Sequence, residues 1–200
     1  MQIIETVEAL EALYEAAIPT SLAKVAKEFT PLYRSWVEAS RFVVLSTVGP
    51  EGTDASPRGD DGPVATVFDA STLMIPDWRG NNRLDSLKNI VRDPRVSLMF
   101  MVPGSSNVVR VNGEAVLTDD PEVTARFEKK GMLPKTVIVV TVGEVYFQCA
   151  KAIMRSRLWS GEDESEGLPT AGAFIRQFDK GFDARDYDEN YAENAKKRMW

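Results

Sequence analysis

The sequence predicts an α+β protein in which about six antiparallel strands close into a small β-barrel with peripheral helices. Helical periodicity dominates residues 6–39, short apolar runs separated by turn clusters fill residues 41–147, and an acidic, glycine-bounded linker follows residue 159. Strands joined by tight turns favour antiparallel pairing, and barrel closure hides sheet edges. We expect one domain over residues 1–200, with a helical preface (1–40), a barrel core (41–159) and a linker with a helical tail (160–200).

The preface contains several helix signals. Leu10, Leu13 and Tyr14 lie on one helical face before a stop near Pro19. Thr20 or Ser21 is expected to cap the next segment, and Thr30 is expected to cap a helix that has proline at its first position.

The barrel core is predicted from runs rich in β-branched and apolar residues. These runs are 42–48, 64–68, 73–75, 96–102, 108–117 and 136–147, and the turn cluster at 49–52 predicts that the first continues into a hairpin. Helices are predicted between them at 83–91 and at 121–130, the second capped by Asp120. Two tail helices are predicted at 173–178 and 191–199, packing on the barrel or on a partner subunit.

Composition restricts the classes of function. A net charge of -6 and a pI near 4.9 disfavour nucleic acid as a partner. The single cysteine, Cys149, implies no disulfide, and no signal peptide or apolar membrane span is recognisable, so a cytoplasmic location is expected. The absence of histidine excludes Ser-His-Asp and Cys-His catalysis and the usual zinc sites. Difficult chemistry would require an organic cofactor.

The first candidate site is the segment Ser56-Pro57-Arg58-Gly59-Asp60, at the end of the second strand. An arginine between proline and glycine is held in a constrained loop, and its planar guanidinium can bind a phosphate or a ring carbonyl with two hydrogen bonds. The alternative is a surface arginine that pairs with Asp60 or Asp61.

The second candidate runs from Asp77 to Ser86, between a strand end and a helix start. Gly80, Asn81 and Asn82 permit unusual backbone angles, the first N–H groups of the helix are unpaired, and Arg79 and Arg83 add positive charge. Together they predict an anion-binding cradle. In the alternative interpretation, Asn82 is a plain N-cap and Asp85 a first-turn acid.

The third candidate follows the longest strand. Lys151 and Arg155 are four residues apart and share a helical face, so an anion between them would relieve their repulsion. Cys149 is expected to be a buried small apolar residue, since no base can activate it. Trp78 and Trp159 lie beside arginines and either stack on a ring or pack in the core.

Three runs carry a resemblance to a known family: Arg79-Gly80-Asn81-Asn82-Arg83-Leu84-Asp85-Ser86-Leu87, Asp93-Pro94-Arg95-Val96-Ser97-Leu98-Met99-Phe100 and Arg110-Val111-Asn112-Gly113-Glu114-Ala115. Over residues 35–160 the chain resembles the pyridoxamine 5′-phosphate oxidase-like FMN-binding family, and residues 146–159 resemble a less characterised branch of it. The resemblance implies a split β-barrel and a homodimer with FMN between the subunits.

The resemblance also implies an FMN-dependent oxidoreductase that passes a hydride to or from a small-molecule substrate through the flavin N5, with NAD(P)H as a possible donor. It implies phosphate contacts from Asn81, Asn82, Arg83 and Ser86, and it places Arg58 near the same cofactor. By the same resemblance, Arg110, Lys151 and Arg155 come to the site from neighbouring strands or from the other subunit. The predicted cofactor-binding residues also include three from the candidate segments above: Ser56, Arg79 and Trp159. Lys151 or Arg155 would stabilise the reduced flavin ring.

One departure separates this chain from the oxidase itself. The oxidase carries an Arg-x-His pair near its C-terminus, where this chain has Arg155-Ser156-Arg157. Flavin binding is therefore implied more strongly than oxidation of pyridoxamine phosphate. Two alternatives stay open: a non-enzymatic dimeric flavin-binding or sensing module, and a haem-handling relative, which the lack of histidine disfavours.

Overall fold

The computed structural model describes residues 1–199, and its centre is one antiparallel sheet of seven strands in the order β2-β1-β5-β6-β7-β4-β3. The strands are β1 (Phe42–Gly49), β2 (Gly52–Gly59), β3 (Thr66–Val67), β4 (Thr72–Asp77), β5 (Arg95–Met101), β6 (Val108–Thr118) and β7 (Thr136–Gln148). The α+β class and the antiparallel sheet are confirmed. The strand count exceeds six because the hairpin partner of β1 is a complete strand.

Period-two alternation explains why these segments form strands. In β1, Val43 and Leu45 are buried while their neighbours are only partly so, and Leu98 and Phe100 repeat this pattern in β5. Alternation places one face of each strand in the core. The fully buried side chains of β1, β4, β5, β6 and β7 pack there into one apolar cluster.

Eight helices surround the sheet among the described residues. They are α1 (Val7–Glu11), α2 (Pro19–Ala23), α3 (Pro31–Ala39), α4 (Asp85–Arg92), α5 (Pro121–Thr124), α6 (Lys151–Ser156), α7 (Ala171–Phe178) and α8 (Ala184–Lys196). Each of them falls short of the length and apolarity that a bilayer crossing requires.

The predicted helix caps are only partly correct. Thr30 accepts a hydrogen bond from the Tyr33 N–H at 3.3 Å, and Asp120 accepts one from Glu122 at 2.8 Å, so both predicted caps are confirmed. The cap at Thr20 or Ser21 is wrong, because α2 already begins at Pro19, whose fixed φ suits the first helical position.

Two predicted helices also have different limits. The helix predicted at 121–130 ends at Thr124 and continues as a short 3-10 turn, because the chain reverses through left-handed Lys130 and Gly131. The last helix begins at Ala184, earlier than the predicted residue 191, with Asp183 as its N-cap.

Side chains connect β2, at one edge of the sheet, with β4 near the opposite edge. Beyond its short pairing with β3, the C-terminal half of β4 has one free edge, and β2 is the opposite edge strand. Arg58 of β2 forms an ion pair with Asp77 of β4, and Ser86 of α4 donates a hydrogen bond to Asp54 of β2 at 2.6 Å. We call this line of contacts the seam, and the candidate site lies along it.

Candidate functional site

A cleft of about 1000 Å³ opens along the seam. Its walls are β2, the segment from the end of β4 to the start of α4, and the residues that lead into β7. Ligand sites commonly have volumes of about 300–1,000 Å³, so a mononucleotide-sized ligand can be accommodated. Seven predicted site residues line the cleft: Ser56, Arg58, Arg79, Asn81, Asn82, Arg83 and Ser86.

The loop between β4 and α4 forms one wall of the cleft through an unusual backbone. The side chain of Asn81 accepts a hydrogen bond from the Arg83 N–H at 3.0 Å, and both Asn82 (φ 60°) and Leu84 (φ 62°) are left-handed. Leu84 occupies the N-cap position of α4 and cannot cap it with its side chain. The interpretation of Asn82 as the N-cap is therefore wrong, and the first N–H groups of α4 lack a side-chain acceptor.

Arg58 is held in the seam by an acid other than the two that the sequence suggested. Its guanidinium pairs with Asp77, not with Asp60 or Asp61, and these two side chains are only 20% and 15% exposed. Its Nε atom is buried without a hydrogen-bond partner among the described residues. The hydroxyl of Thr136, which lies opposite Asp77 in the sheet register, is also buried and unpartnered there.

Asp60 and Asp61 instead bind Lys129. The Lys129 ammonium contacts both carboxylates, and Asp60 also accepts a hydrogen bond from the Trp78 indole N–H at 3.0 Å. These contacts fix the Trp78 ring at the rim of the cleft. Trp78 is thus a site residue more than a core residue, whereas its stacking on a ligand stays a prediction.

The remaining cations of the cleft differ in their pairing. Arg83 is exposed and pairs with Asp85 at 2.9 Å. Arg79 and Lys135 line the cleft, and neither forms an ion pair with any described residue. Two cations in the same cleft as the uncapped N-terminus of α4 favour an anion there, in an otherwise acidic protein.

Ser86 has another role from the one predicted for it. Its side chain is almost fully buried, and its hydroxyl is already committed to Asp54. Only its backbone N–H, in the first turn of α4, remains suited to an anion.

The ionised groups near the cleft are stabilised in their charged forms. Burial lowers the pKa of Lys129, but hydrogen bonds to Asp60 and Asp61 outweigh this and raise it above its ordinary value. The hydrogen bond from Lys129 in turn lowers the pKa of Asp61. Far from the cleft, the Arg95 guanidinium lowers the pKa of Asp93 to about 2.

We expect stability that is level at neutral pH and falls in acid. A carboxylate whose pKa is lowered by folding contributes its full stabilisation at pH values above its ordinary pKa of 3.8. For Asp93 this contribution is lost as the pH falls toward its pKa of about 2 in the folded protein. Asp61 acts in the same direction, whereas the contribution of Lys129 is lost only above 10.5. Thermal unfolding measured across pH should give a plateau from about pH 5 to pH 9.

The control for this prediction is Asp93→Asn, which should make the acid limb shallower. A melting temperature that changes steeply between about pH 6 and pH 7 would contradict it, because that range is typical of histidine and the chain has none.

Four predicted site residues lie elsewhere. Arg110 on β6 lies over the Tyr146 ring, with 5.4 Å from Cζ to the ring centroid, and approaches Gln148 at the end of β7. Lys151 and Arg155 are exposed on α6, which confirms that they share a short helix. The indole N–H of Trp159 donates to the carbonyl oxygen of Ser105 at 2.7 Å. We call these four residues the distal group.

The distal group is not among the residues that line the cleft, although the sheet register keeps Arg110 close to one of its walls. Arg110 pairs with Met99 of β5, Met99 with Val44 of β1, and Val44 with Pro57 of β2, which lines the cleft. Three strand spacings amount to about 14 Å. Arg110 therefore lies outside the cleft of its own chain, three strands away from its β2 wall.

The prediction that Cys149 is buried is wrong. It is exposed, because β7 ends at Gln148 and the chain turns into α6 outside the sheet.

Sequence reasoning missed several residues of the cleft. Asp77 pairs with Arg58, Asp54 binds Ser86, and Lys135 lines the wall without an ion-pair partner within residues 1–199. Asp77 lies within the second candidate segment, and an acidic residue beside an arginine-rich loop could have predicted an ion pair with an arginine. Asp54 and Lys135 carry no local signal, because only the closure of the sheet brings them to the seam.

Solved structures match the chain at low similarity. A candidate pyridoxamine 5′-phosphate oxidase from Lactobacillus delbrueckii is 24% identical (TM-score 0.49; 60% of this chain and 95% of that chain). HupZ from Group A Streptococcus is 14% identical (TM-score 0.48; 58% and 91%), and an FMN-binding protein from Syntrophomonas wolfei is also 14% identical (TM-score 0.45; 58% and 83%). At this similarity no residue role can be transferred.

Curated proteins give no significant match to the chain. The family model for pyridoxamine 5′-phosphate oxidase matches residues 29–149, which is more than half of the sequence and includes the whole sheet. The chain therefore belongs to the pyridoxamine 5′-phosphate oxidase family.

Proposed function

We propose that this protein is an FMN-dependent oxidoreductase that binds the flavin along the seam and transfers a hydride to or from a small molecule. The observation that carries the proposal is that Arg79 and Lys135, which form no ion pair in the described part of the chain, lie in the same cleft as the uncapped N-terminus of α4. This combination suits a phosphate group, and the family to which the chain belongs supports a flavin as the molecule that bears it.

The residues of the cleft fit such a ligand in three respects. The volume of about 1000 Å³ is adequate. The N–H groups of Ser86 and Leu87 lie in the first turn of a helix without a side-chain cap. The buried Nε of Arg58 and Oγ1 of Thr136 retain unused hydrogen-bonding capacity in the cleft wall.

Each part of the cleft has a distinct role in the proposal. The amides of the α4 first turn, together with Arg79 and Lys135, bind the phosphate and offset its charge. Arg58, which Asp77 holds in place, would offer its guanidinium to the polar part of the ring system. Trp78, Leu84 and Met132 line the cleft and exclude water from the ring.

The chemistry itself comes from the cofactor: bound FMN supplies a hydride acceptor and donor at its N5 atom. The protein contributes orientation of the partner molecule and cations that stabilise negative charge. No side chain of the cleft needs to act as a proton donor, which agrees with a chain that lacks histidine.

We further propose that the working form is a homodimer in the cytoplasm. The resemblance of the sequence to the FMN-binding family implies a flavin between two subunits, and Arg110, Lys151, Arg155 and Trp159, which do not line the cleft of their own chain, would then contribute from a second copy. An exposed single thiol at Cys149 suits a reducing compartment.

Titration of the purified protein with FMN tests the proposal. We expect quenching of flavin fluorescence that saturates at one FMN per chain. In the absence of oxygen, NADH or NADPH should then bleach the absorbance of the bound flavin at about 450 nm. Absence of FMN binding would contradict the cofactor assignment. Binding without reduction or reoxidation by any nicotinamide or candidate substrate would instead indicate a flavin-binding module.

A further inference from the structure

The C-terminal helices form a closely packed hairpin with an uncovered apolar side. Gly172 lets α7 approach α8 closely, since a Cβ at this position would lie 2.5 Å from the carbonyl oxygen of Ala184. The Gly172 N–H donates to Asp188 at 2.8 Å, and the rings of Phe182, Tyr187 and Tyr191 pack in a row. Yet Phe174 and Phe178 on α7 are 57% and 87% exposed.

The N-terminal segment, residues 3–18, is a second uncovered apolar surface. Its large apolar side chains are all exposed: Ile3, Ile4, Val7, Leu10, Leu13, Tyr14 and Ile18. Exposed apolar patches of this extent are unusual in monomeric proteins and commonly mark an interface. Because both surfaces are exposed in the same structure, they do not cover each other within one chain.

The charges of the two surfaces allow them to meet. The first 23 residues carry Glu5, Glu8, Glu11 and Glu15 but no lysine or arginine. Residues 168–178, which contain α7, carry Arg176 and no carboxylate. Contact between them therefore places an acidic apolar segment against an apolar helix that bears only positive charge.

Both surfaces are also tied to the same end of the sheet. Ala26 exchanges two backbone hydrogen bonds with Val145 of β7, at 2.9 and 2.8 Å, so the N-terminal segment leaves the fold there. The chain that leads to α7 leaves from the end of β7, only a few residues away. In a two-fold dimer joined near this end, each chain offers both surfaces, and the contact is made twice.

We propose that the N-terminal segment of one copy docks on the apolar side of α7 in a second copy, and that the reciprocal contact forms at the same time. This exchange rests on the homodimer of the proposed function but not on the flavin. It assigns to both ends of the chain a role in holding the dimer together.

Cross-linking between different chains tests the exchange. In a Cys149→Ser background, a chain with Leu13→Cys is co-expressed with a chain with Phe178→Cys and treated with a bismaleimide. We expect a covalent dimer whose linked peptides contain positions 13 and 178. The matched control replaces Leu13→Cys with Leu32→Cys, a position on α3 that is at least as exposed and should give little product. No 13–178 product, or as much product in the control, would overturn the proposal.

A double-mutant comparison gives a second, independent readout. Leu10→Ser with Leu13→Ser, and separately Phe174→Ser with Phe178→Ser, should each raise the dimer dissociation constant at least about tenfold in sedimentation experiments. The four changes together should add little, because both pairs break one contact. Additive effects, or no effect, would overturn the proposal. Neither experiment requires flavin, so a failure of FMN binding would leave both results interpretable.

Discussion

Replacing both Arg79 and Lys135 with alanine should weaken FMN binding by at least about 100-fold. Each charge-assisted hydrogen bond contributes roughly 1.5–3 kcal/mol, and about 1.4 kcal/mol corresponds to a factor of ten in affinity. Both side chains line the cleft without an ion-pair partner among the described residues, so their removal leaves no carboxylate newly unpaired. Fluorescence titration with FMN measures the effect.

Riboflavin and a charge-matched variant make this prediction specific. Riboflavin lacks the phosphate, so its affinity should change little between the native protein and the double variant. The control, Lys27→Ala with Arg92→Ala, alters net charge equally at exposed positions that do not line the cleft. Equal losses for FMN in both double variants would indicate a general charge effect and would refute the assigned phosphate contacts.

Gly113→Ala should destabilise the fold by about 3 kcal/mol, at the upper end of the usual cost of overpacking. Gly113 lies at the register shift between β6 and β7. An added Cβ would overlap the carbonyl oxygen of Thr141. It would also lie 3.1 Å from the carbonyl carbon of Thr141 and 3.2 Å from the backbone nitrogen of Gly143. All three are backbone atoms of a central strand, which cannot rotate away as a side chain can.

Urea unfolding compares this variant with Gly62→Ala. An added Cβ at Gly62 meets no atom within 4 Å, so its effect should stay within about 0.5 kcal/mol. Similar free energies of unfolding for the two variants would mean that the close contact between β6 and β7 is not required for stability.

Local sequence signals were sufficient for most of the fold. Period-two runs located β1, β5, β6 and β7 within one or two residues, because alternation follows directly from one-sided burial. The strand β2 was harder to delimit. Its sequence, Gly52–Gly59, contains one β-branched residue and a proline, and its pairing with β1 rather than its own composition makes it a strand.

The candidate site was predictable only where it is continuous in the chain. Asn81, Asn82 and Arg83 follow one another, and their loop indeed forms a wall of the cleft. The predicted pairing of Arg58 with Asp60 or Asp61 was wrong, because these two acids, which are close in sequence, bind Lys129 instead. The actual partner, Asp77, lies on β4 near the opposite edge of the sheet. Such contacts depend on tertiary closure, which no local pattern encodes.

The position of the distal group outside the cleft also depends on tertiary structure. Lys151 and Arg155 were correctly placed on one helix, since that follows from spacing alone. They do not line the cleft, because α6 follows the end of β7 outside the sheet. Sequence alone gave no means of separating the two groups of cations.

A crystal structure of the protein with FMN tests the central claim most directly. We predict that the phosphate lies within about 3 Å of the backbone nitrogens of the first turn of α4. The guanidinium of Arg79 should contact the same phosphate, and the ring should lie along the seam beside Arg58. FMN bound elsewhere, with the first turn of α4 and Arg79 facing solvent, would contradict the account.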